Sequence, residues 1–204
     1  MALTEWLVLC LVCERPTHGF AVARLLAQDG SMGQVWHVPK TVIYRALQRL
    51  EQLGLIQAAG EEQTHQGPVR SVLAITADGR AAAAAWLTRP VAHARDVRSA
   101  LLVKLALLDR SGKSAAPLLE AQRRQLAPVA GALRDRLDAA SGFERTLALW
   151  RYETVCATLR FLDAAMPAWV GLAAAAGEPV RPWRAPAARA RSGQAMPLVP
   201  VRPL

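Results

Sequence analysis

Apolar and polar positions follow helical periods over most of the chain, and in the first half a strand-like stretch interrupts them. From Pro39 to Gly54 the sequence PKTVIYRALQRLEQLG sets Val42, Ile43, Leu47, Leu50 and Leu53 near one face of a helix. Lys40, Thr41, Tyr44, Arg45, Gln48 and Gln52 gather on the other, a stripe of donors, acceptors and one aromatic ring. Pro39 suits the helix start, where a missing N–H costs nothing, and Gly54 suits the residue just past the end. Ahead of it, His18 to Gln28 predicts a short amphipathic helix with Phe20, Val22, Leu25 and Leu26 inward; Gly30 and Gly33 mark the turn between the two. Behind it, Leu55 and Ile56, then Val69, Val72, Leu73 and Ile75, read as strands joined by a polar tip over 60–68. Thr76 can cap a further helix whose first turn holds Asp78 and which ends before Pro90.

A helix, a turn, a polar-faced second helix and then a hairpin is the order of a winged helix-turn-helix. The expected fold is therefore mainly α with a small β-hairpin. Residues 1–90 form a winged helix-turn-helix DNA-binding domain, and residues 91–170 a helical dimerisation region. Three helices are predicted there. Arg95 to Asp109 carries Val97, Leu101, Leu105 and Leu108 on one face, and Ser114 to Ala139 carries Leu118, Leu119, Leu126, Val129, Leu133 and Leu137. Ser141 to Met166 has two adjacent seams: Phe143, Leu147, Trp150, Thr154, Ala157 and Phe161, and beside it Tyr152, Val155, Leu159, Leu162 and Met166. Two seams are more than the neighbouring helices cover, so Phe143, Leu147, Trp150 and Phe161 are assigned to a homodimer interface. Residues 171–204, rich in Pro, Ala and Arg, are expected to form a poorly ordered basic tail.

Charge changes this picture less than its total suggests. The chain of 204 residues carries a formal +9, yet residues 1–90 hold 8 basic and 7 acidic side chains. The excess lies beyond residue 90, so placement matters more than net charge. Lys40, Arg45 and Arg49 lie on the polar-faced helix and Arg70 at the wing base, while Glu61 and Glu62 oppose them on the wing. In a DNA groove Arg45 suits guanine O6 and N7, and Thr41 and Gln48 are the other base-edge candidates. The Tyr44 hydroxyl can donate to a phosphate. Lys40 and Arg70 would fix position on the backbone, Arg49 is a further contact on the same helix, and His65 or Gln66 is placed to reach the minor groove from the wing tip.

Other chemistries find little support. Cys10-Leu-Val-Cys13 lies inside an apolar helical run with no second such pair, which favours two buried small hydrophobes over a redox or zinc site. His18, His37, His65 and His93 stand at no metal-ligand spacing, and no serine has a nucleophile-elbow setting. No metal, cofactor or enzymatic activity is expected. The apolar run from Trp6 to Cys13 is shorter than the roughly 20 residues of a membrane span, and Glu5 does not suit a signal peptide, so a cytoplasmic, nucleoid-associated protein is expected.

The same positions resemble the PadR-like transcriptional regulators. The resemblance rests on His18-Gly19-Phe20 with Leu25-Leu26, Val38-Pro39, Ile43-Tyr44, Leu47, Leu50-Glu51 and Gly54-Leu55-Ile56, then Gly67-Pro68-Val69-Arg70, Ile75-Thr76, Gly79-Arg80 and Trp86-Leu87. It covers roughly the first 90 residues, and more loosely Asp96 to Leu108. It implies a homodimer that binds a palindromic operator, acts as a repressor by operator occlusion, and builds its dimer from the C-terminal helices together with the first helix. It also points to Tyr44 as a DNA contact, and makes a planar small-molecule effector a candidate partner besides double-stranded DNA and a second copy of the chain. Thr41, Arg45 and Ser71-Val72-Leu73 depart from the family's usual Ser, Pro and aromatic pair, which bears on operator preference. The alternative is a winged-helix protein-interaction module without specific DNA binding, suggested by the near-neutral first 90 residues.

Overall fold

The structure, a computed structural model, describes the backbone of residues 1–62 and 70–174, and the side chains of residues 1–61 and 70–170. Residues 63–68 of the expected wing tip, with His65 and Gln66, Val69 after it, and residues 175–204 of the expected tail lie outside the described residues, whereas 60–62 belong to a strand and 171–174 continue the last helix instead of starting the tail. The order of elements is α1 (Leu3–Glu14), β1 (Thr17–His18), α2 (Gly19–Leu25), α3 (Lys40–Gln52), β2 (Ile56–Glu62), β3 (Arg70–Ile75) and α4 (Ala77–Thr88). A short 3-10 turn (Ala94–Asp96) and one wide π turn (Val97–Leu101) then lead into α5 (Leu102–Arg110), α6 (Ala116–Ala139) and α7 (Gly142–Ala174). The fold is mainly α with a small antiparallel sheet, a winged helix-turn-helix followed by helices.

α1 is buried on every side from Leu7 to Val12 and packs against α2, α3, α4, β3 and α5. Its continuous apolar sequence follows from that position, since no face meets water. α3 is set on it by Ile43, Ala46, Leu47 and Leu50, all buried. Two assignments change here. Val42 and Leu53 are exposed and Ala46 joins the core, because Val42 stands about 90° from the middle of the buried line and Leu53 caps the helix. Gly54 has φ +67°, its N–H reaches the Glu51 carbonyl at 2.9 Å and the Leu55 N–H reaches that of Leu50 at 3.0 Å. This pair of bonds is a Schellman stop, and its left-handed residue favours glycine.

The sheet has the order β1-β3-β2. β2 pairs with β3 from Ile56 opposite Ile75 to Glu62 opposite Arg70, with a bulge between Ala58 and Gly60. The two-residue strand β1 pairs with Leu73 and Val72 and was not anticipated. It displaces the expected helix start from His18 to Gly19; the His18 ring instead caps α2, accepting the Ala21 N–H at 3.1 Å. Thr76 caps α4 as expected, its hydroxyl accepting the Gly79 N–H at 3.0 Å.

The helix expected over Arg95 to Asp109 is broken into three local geometries, yet Val97, Leu101, Leu105 and Leu108 are all buried. α5 joins two apolar clusters: Val103 and Leu107 pack with α1, whereas Leu101, Leu105 and Leu108 pack with α6 and α7. On α6, Leu118, Leu119, Leu126 and Leu137 are buried as expected, Leu133 is half-buried, and Val129 is exposed. Of the inner seam of α7, Val155 and Leu162 are buried, and Tyr152, Leu159 and Met166 are half-buried.

Cys10 is buried while Cys13 is only half-buried, with Arg80 Nη1 3.8 Å from its sulfur; both thiols are free. Burial pushes the Cys10 thiol up to about 12, Cys13 and Glu14 adding to it. Lys104 is 2% exposed, between α4 and α5, and its ammonium lies 4.7 Å from the Trp86 ring centre. Burial, then the Arg89 charge, lowers its pKa to about 8. Between about pH 8 and the ordinary 10.5 the unfolded chain holds a proton that the folded chain has released, so stability rises with pH there. Cys10 acts in the opposite sense, and only between 9.0 and about 12, where the folded chain keeps a proton that the unfolded one loses. Of these two groups only the lysine contributes from pH 8 to 9. The melting temperature is expected to climb by about 2 to 4 °C over that interval, from a gain of roughly 1 kcal/mol. Lys104→Met should abolish the climb in a pH-resolved thermal melt, and an equal climb in both proteins would contradict the assignment.

Candidate nucleic-acid interface

Along α3, Thr41, Arg45, Gln48 and Gln52 fall within about 30° of the line opposite its buried residues, and all four are exposed. Their orientation follows from burial of Ile43, Ala46, Leu47 and Leu50, which fixes the helix about its own axis. Lys40, Tyr44 and Arg49 flank the stripe, also exposed.

α2 closes on α3 where Gly19 sits. A Cβ there would stand 3.0 Å from both Leu47 Cδ1 and Tyr44 Cε1, so the Tyr44 ring lies against the start of α2. Beside it is Phe20, which the sequence reading placed in the core. Phe20 is 40% exposed instead, because it stands about 170° from the line of Val22, Leu25 and Leu26. The signal was present in the spacing but masked by the residue's hydrophobicity.

Phe20 has a second use. Arg70 places its guanidinium carbon 4.6 Å from the Phe20 ring centre, and Lys40 Nζ lies 5.8 Å from it and 5.9 Å from that of Tyr44. Each such contact at an exposed site stabilises by about 0.5–1 kcal/mol. Three elements, α2, α3 and β3, thus bring two cations onto one aromatic platform. The groove they enclose measures about 490 Å³, and Tyr44, Gln48 and Ser71 also line it. Glu51, on the same face of α3 as Tyr44 and Gln48, lines it too, a local acidic counterweight. Lys40, Tyr44, Gln48 and Arg70 are therefore gathered together, while Thr41, Arg45 and Arg49 project from the open face of α3. His65 lies outside the described residues.

A second surface lies on α7. Phe143 and Trp150 are 78% and 70% exposed, Phe161 is 37% exposed, and Leu147 is half-buried. Trp150, Ala157 and Phe161 form one wall of an apolar groove of about 920 Å³, with Val97 and Leu102 opposite; Arg95, Arg98 and Arg160 stand on its rim. Among the described residues no helix is long and apolar enough to cross a membrane.

Residues 8–85 match the model of the Transcriptional regulator PadR-like family. A protein of Mycobacterium tuberculosis named "Probable transcriptional regulator Rv1176c" is 31% identical over 102 residues, which are 50% of this chain and 52% of that protein. The chain thus spans about half the length of the curated relative it matches. Among solved structures, Bacillus subtilis PadR in complex with operator DNA aligns over 79% of this chain and 97% of its own, at 17% identity and a TM-score of 0.41. The same protein with p-coumaric acid aligns over 87% and 100%, at 17% identity and 0.39. The protein smu.1604c from Streptococcus mutans UA159 aligns over 80% and 98%, at 15% identity and 0.37.

Proposed function

We propose that this chain, whose residues 8–85 match the model of the Transcriptional regulator PadR-like family, is a homodimeric, sequence-specific DNA-binding repressor that occludes its operator. The observation that carries the reading is the exposed stripe Thr41, Arg45, Gln48 and Gln52, flanked by two cations held on Phe20. α3 lies in the major groove, where Arg45 reads guanine and Thr41 and Gln48 read neighbouring base edges. Lys40, Tyr44, Arg49 and Arg70 bind phosphates and set the register, and the minor groove is assigned to His65, which lies outside the described residues. The exposed seam of α7 joins two copies through Phe143, Leu147, Trp150 and Phe161, which gives the two half-sites of a palindrome, one helical turn apart. The dimer acts in the cytoplasm, on the nucleoid. The arginine-rimmed groove beside Trp150 is the proposed seat of a planar anionic effector.

Anisotropy titrations with the DNA upstream of the protein's own gene test this reading. Arg45→Ala should weaken operator binding by about 1–3 kcal/mol and relax base preference at one position. Lys40→Ala should weaken all DNA alike and reduce the slope of log affinity against log salt by about 1. Wild-type behaviour in both variants would mean that another face reads DNA. Failure of the unaltered protein to prefer any duplex over competitor DNA would favour a winged-helix protein-interaction module instead.

A further inference from the structure

The connector between α4 and the helical region is held by side chains rather than left as a tether. Val91 is buried, and both of its backbone polar groups are taken by one amide. Its N–H donates to Gln122 Oε1 at 2.7 Å, and its carbonyl accepts from Gln122 Nε2 at 3.0 Å. Gln122, on α6, is 0% exposed. Gln125, about one turn along the same helix, donates to the Val91 and Ala92 carbonyls at 3.1 and 3.4 Å. From α5, the buried Lys104 ammonium donates to the Arg89 carbonyl just past the end of α4, over the face of Trp86. Trp86 in turn stacks on Trp6 of α1, with ring centres 5.5 Å apart and planes 6° from parallel.

A buried amide that satisfies a buried backbone N–H and C=O together is demanding of geometry, since rotating either body leaves polar groups unpaired. The bonds run in series: α7 packs on α6, α6 grips Val91, Lys104 grips Arg89, and α4 packs on α1, which carries α3. We infer that Gln122 and Lys104 are positioning residues that clasp the connector over 89–92. They fix the angle between the winged helix and the α6–α7 pair, and so set the separation of the two recognition helices. The inference rests on the dimeric DNA-binding reading and adds to it a determinant of half-site spacing that touches no DNA. It also marks the joint through which a change in the helical region would reach α3.

The test uses the full chain and a series of palindromic duplexes whose half-site separation changes by single base pairs, with an isolated half-site duplex as reference. Wild type should show one preferred spacing. Gln122→Leu keeps the apolar packing but orphans the Val91 N–H and leaves its carbonyl to Gln125 alone, and Lys104→Met removes the second grip without touching α6. Each should stay dimeric and bind the isolated half-site as wild type does, yet lose at least tenfold on the preferred palindrome and show a flatter spacing profile. A merely structural role would lower the melting temperature and leave the profile unchanged, and that result would overturn the inference. Should Gln122→Leu not fold, Lys104→Met decides alone. Should wild type bind none of the duplexes, the DNA reading has failed and hydrogen exchange decides the clasp. Amides over 89–93 should then exchange at least tenfold faster in Lys104→Met, with α1 and α3 unaffected. Equal exchange in the two proteins would remove the clasp.

Discussion

Trp150→Lys should leave a folded chain that sediments as a monomer and no longer holds its operator. The side chain is mostly exposed, so its replacement opens no cavity in the core formed by Val155, Leu162 and their neighbours on α6. In a dimer joined along this face the same position is desolvated. An ammonium placed there meets the rim of Arg95, Arg98 and Arg160, with Glu153 as the acidic side chain of the groove. Burying a charge without an adequate partner costs several kcal/mol, enough to dissociate a dimer at micromolar concentration. DNA affinity then falls for a reason unrelated to charge, since the substitution makes the protein more basic. Joining two half-site contacts in one molecule raises affinity by on the order of 10² to 10⁴, and that factor is what the monomer forfeits. Sedimentation velocity and operator titration on the same sample check both parts. A dimer that persists would locate the interface elsewhere.

The second large effect is expected from the smallest change, Gly79→Ala. A Cβ at Gly79 would lie 2.0 Å from the Leu55 carbonyl oxygen and 2.9 Å from Ile75 Cγ1. That carbonyl cannot move freely. It accepts the Thr76 N–H and the Thr76 hydroxyl, both at 3.1 Å, and the same hydroxyl reaches the Gly54 carbonyl at 2.8 Å. The first turn of α4 is thus bonded to the junction where α3 ends and β2 begins. Forcing it away combines overpacking with lost hydrogen bonds, about 3 to 5 kcal/mol together. The melting temperature should fall by roughly 10 °C or more. Thr76→Ala removes the cap without the clash and should cost only about 0.5–2 kcal/mol. If the two variants melted together, the close approach of Gly79 would not be what holds this junction.

Where a single residue type dictates the backbone, the structure was legible beforehand. Pro39 and Gly54 bounded α3, Thr76 announced α4, and the polar stripe on α3 follows from spacing alone. Features that depend on distant partners were not legible. β1 is two residues long, too short for any period, and exists because β3 offers it an edge. Phe20 and Val42 were drawn inward by their chemistry, although the helical angle places them outside. Gln122 stands in the polar run AQRRQ; its role is visible only once Val91 is beside it. Lys104 carried a fainter signal, a lone charge amid LVKLALL, where neighbours on both sides are buried.

The burial of α1 on every side also bears on how the chain is made. Leu7 to Val12 leave the ribosome about 90 residues ahead of Val103 and Leu107, the last of the residues that enclose them. At synthesis rates of about 5–20 residues per second that interval is roughly 5 to 20 s, long compared with the collapse of a small domain. Through it, a stretch as apolar as the interior of a finished protein waits without its full cover. Helix α1 is therefore a segment of the nascent chain that a chaperone would recognise before α5 arrives to cover it.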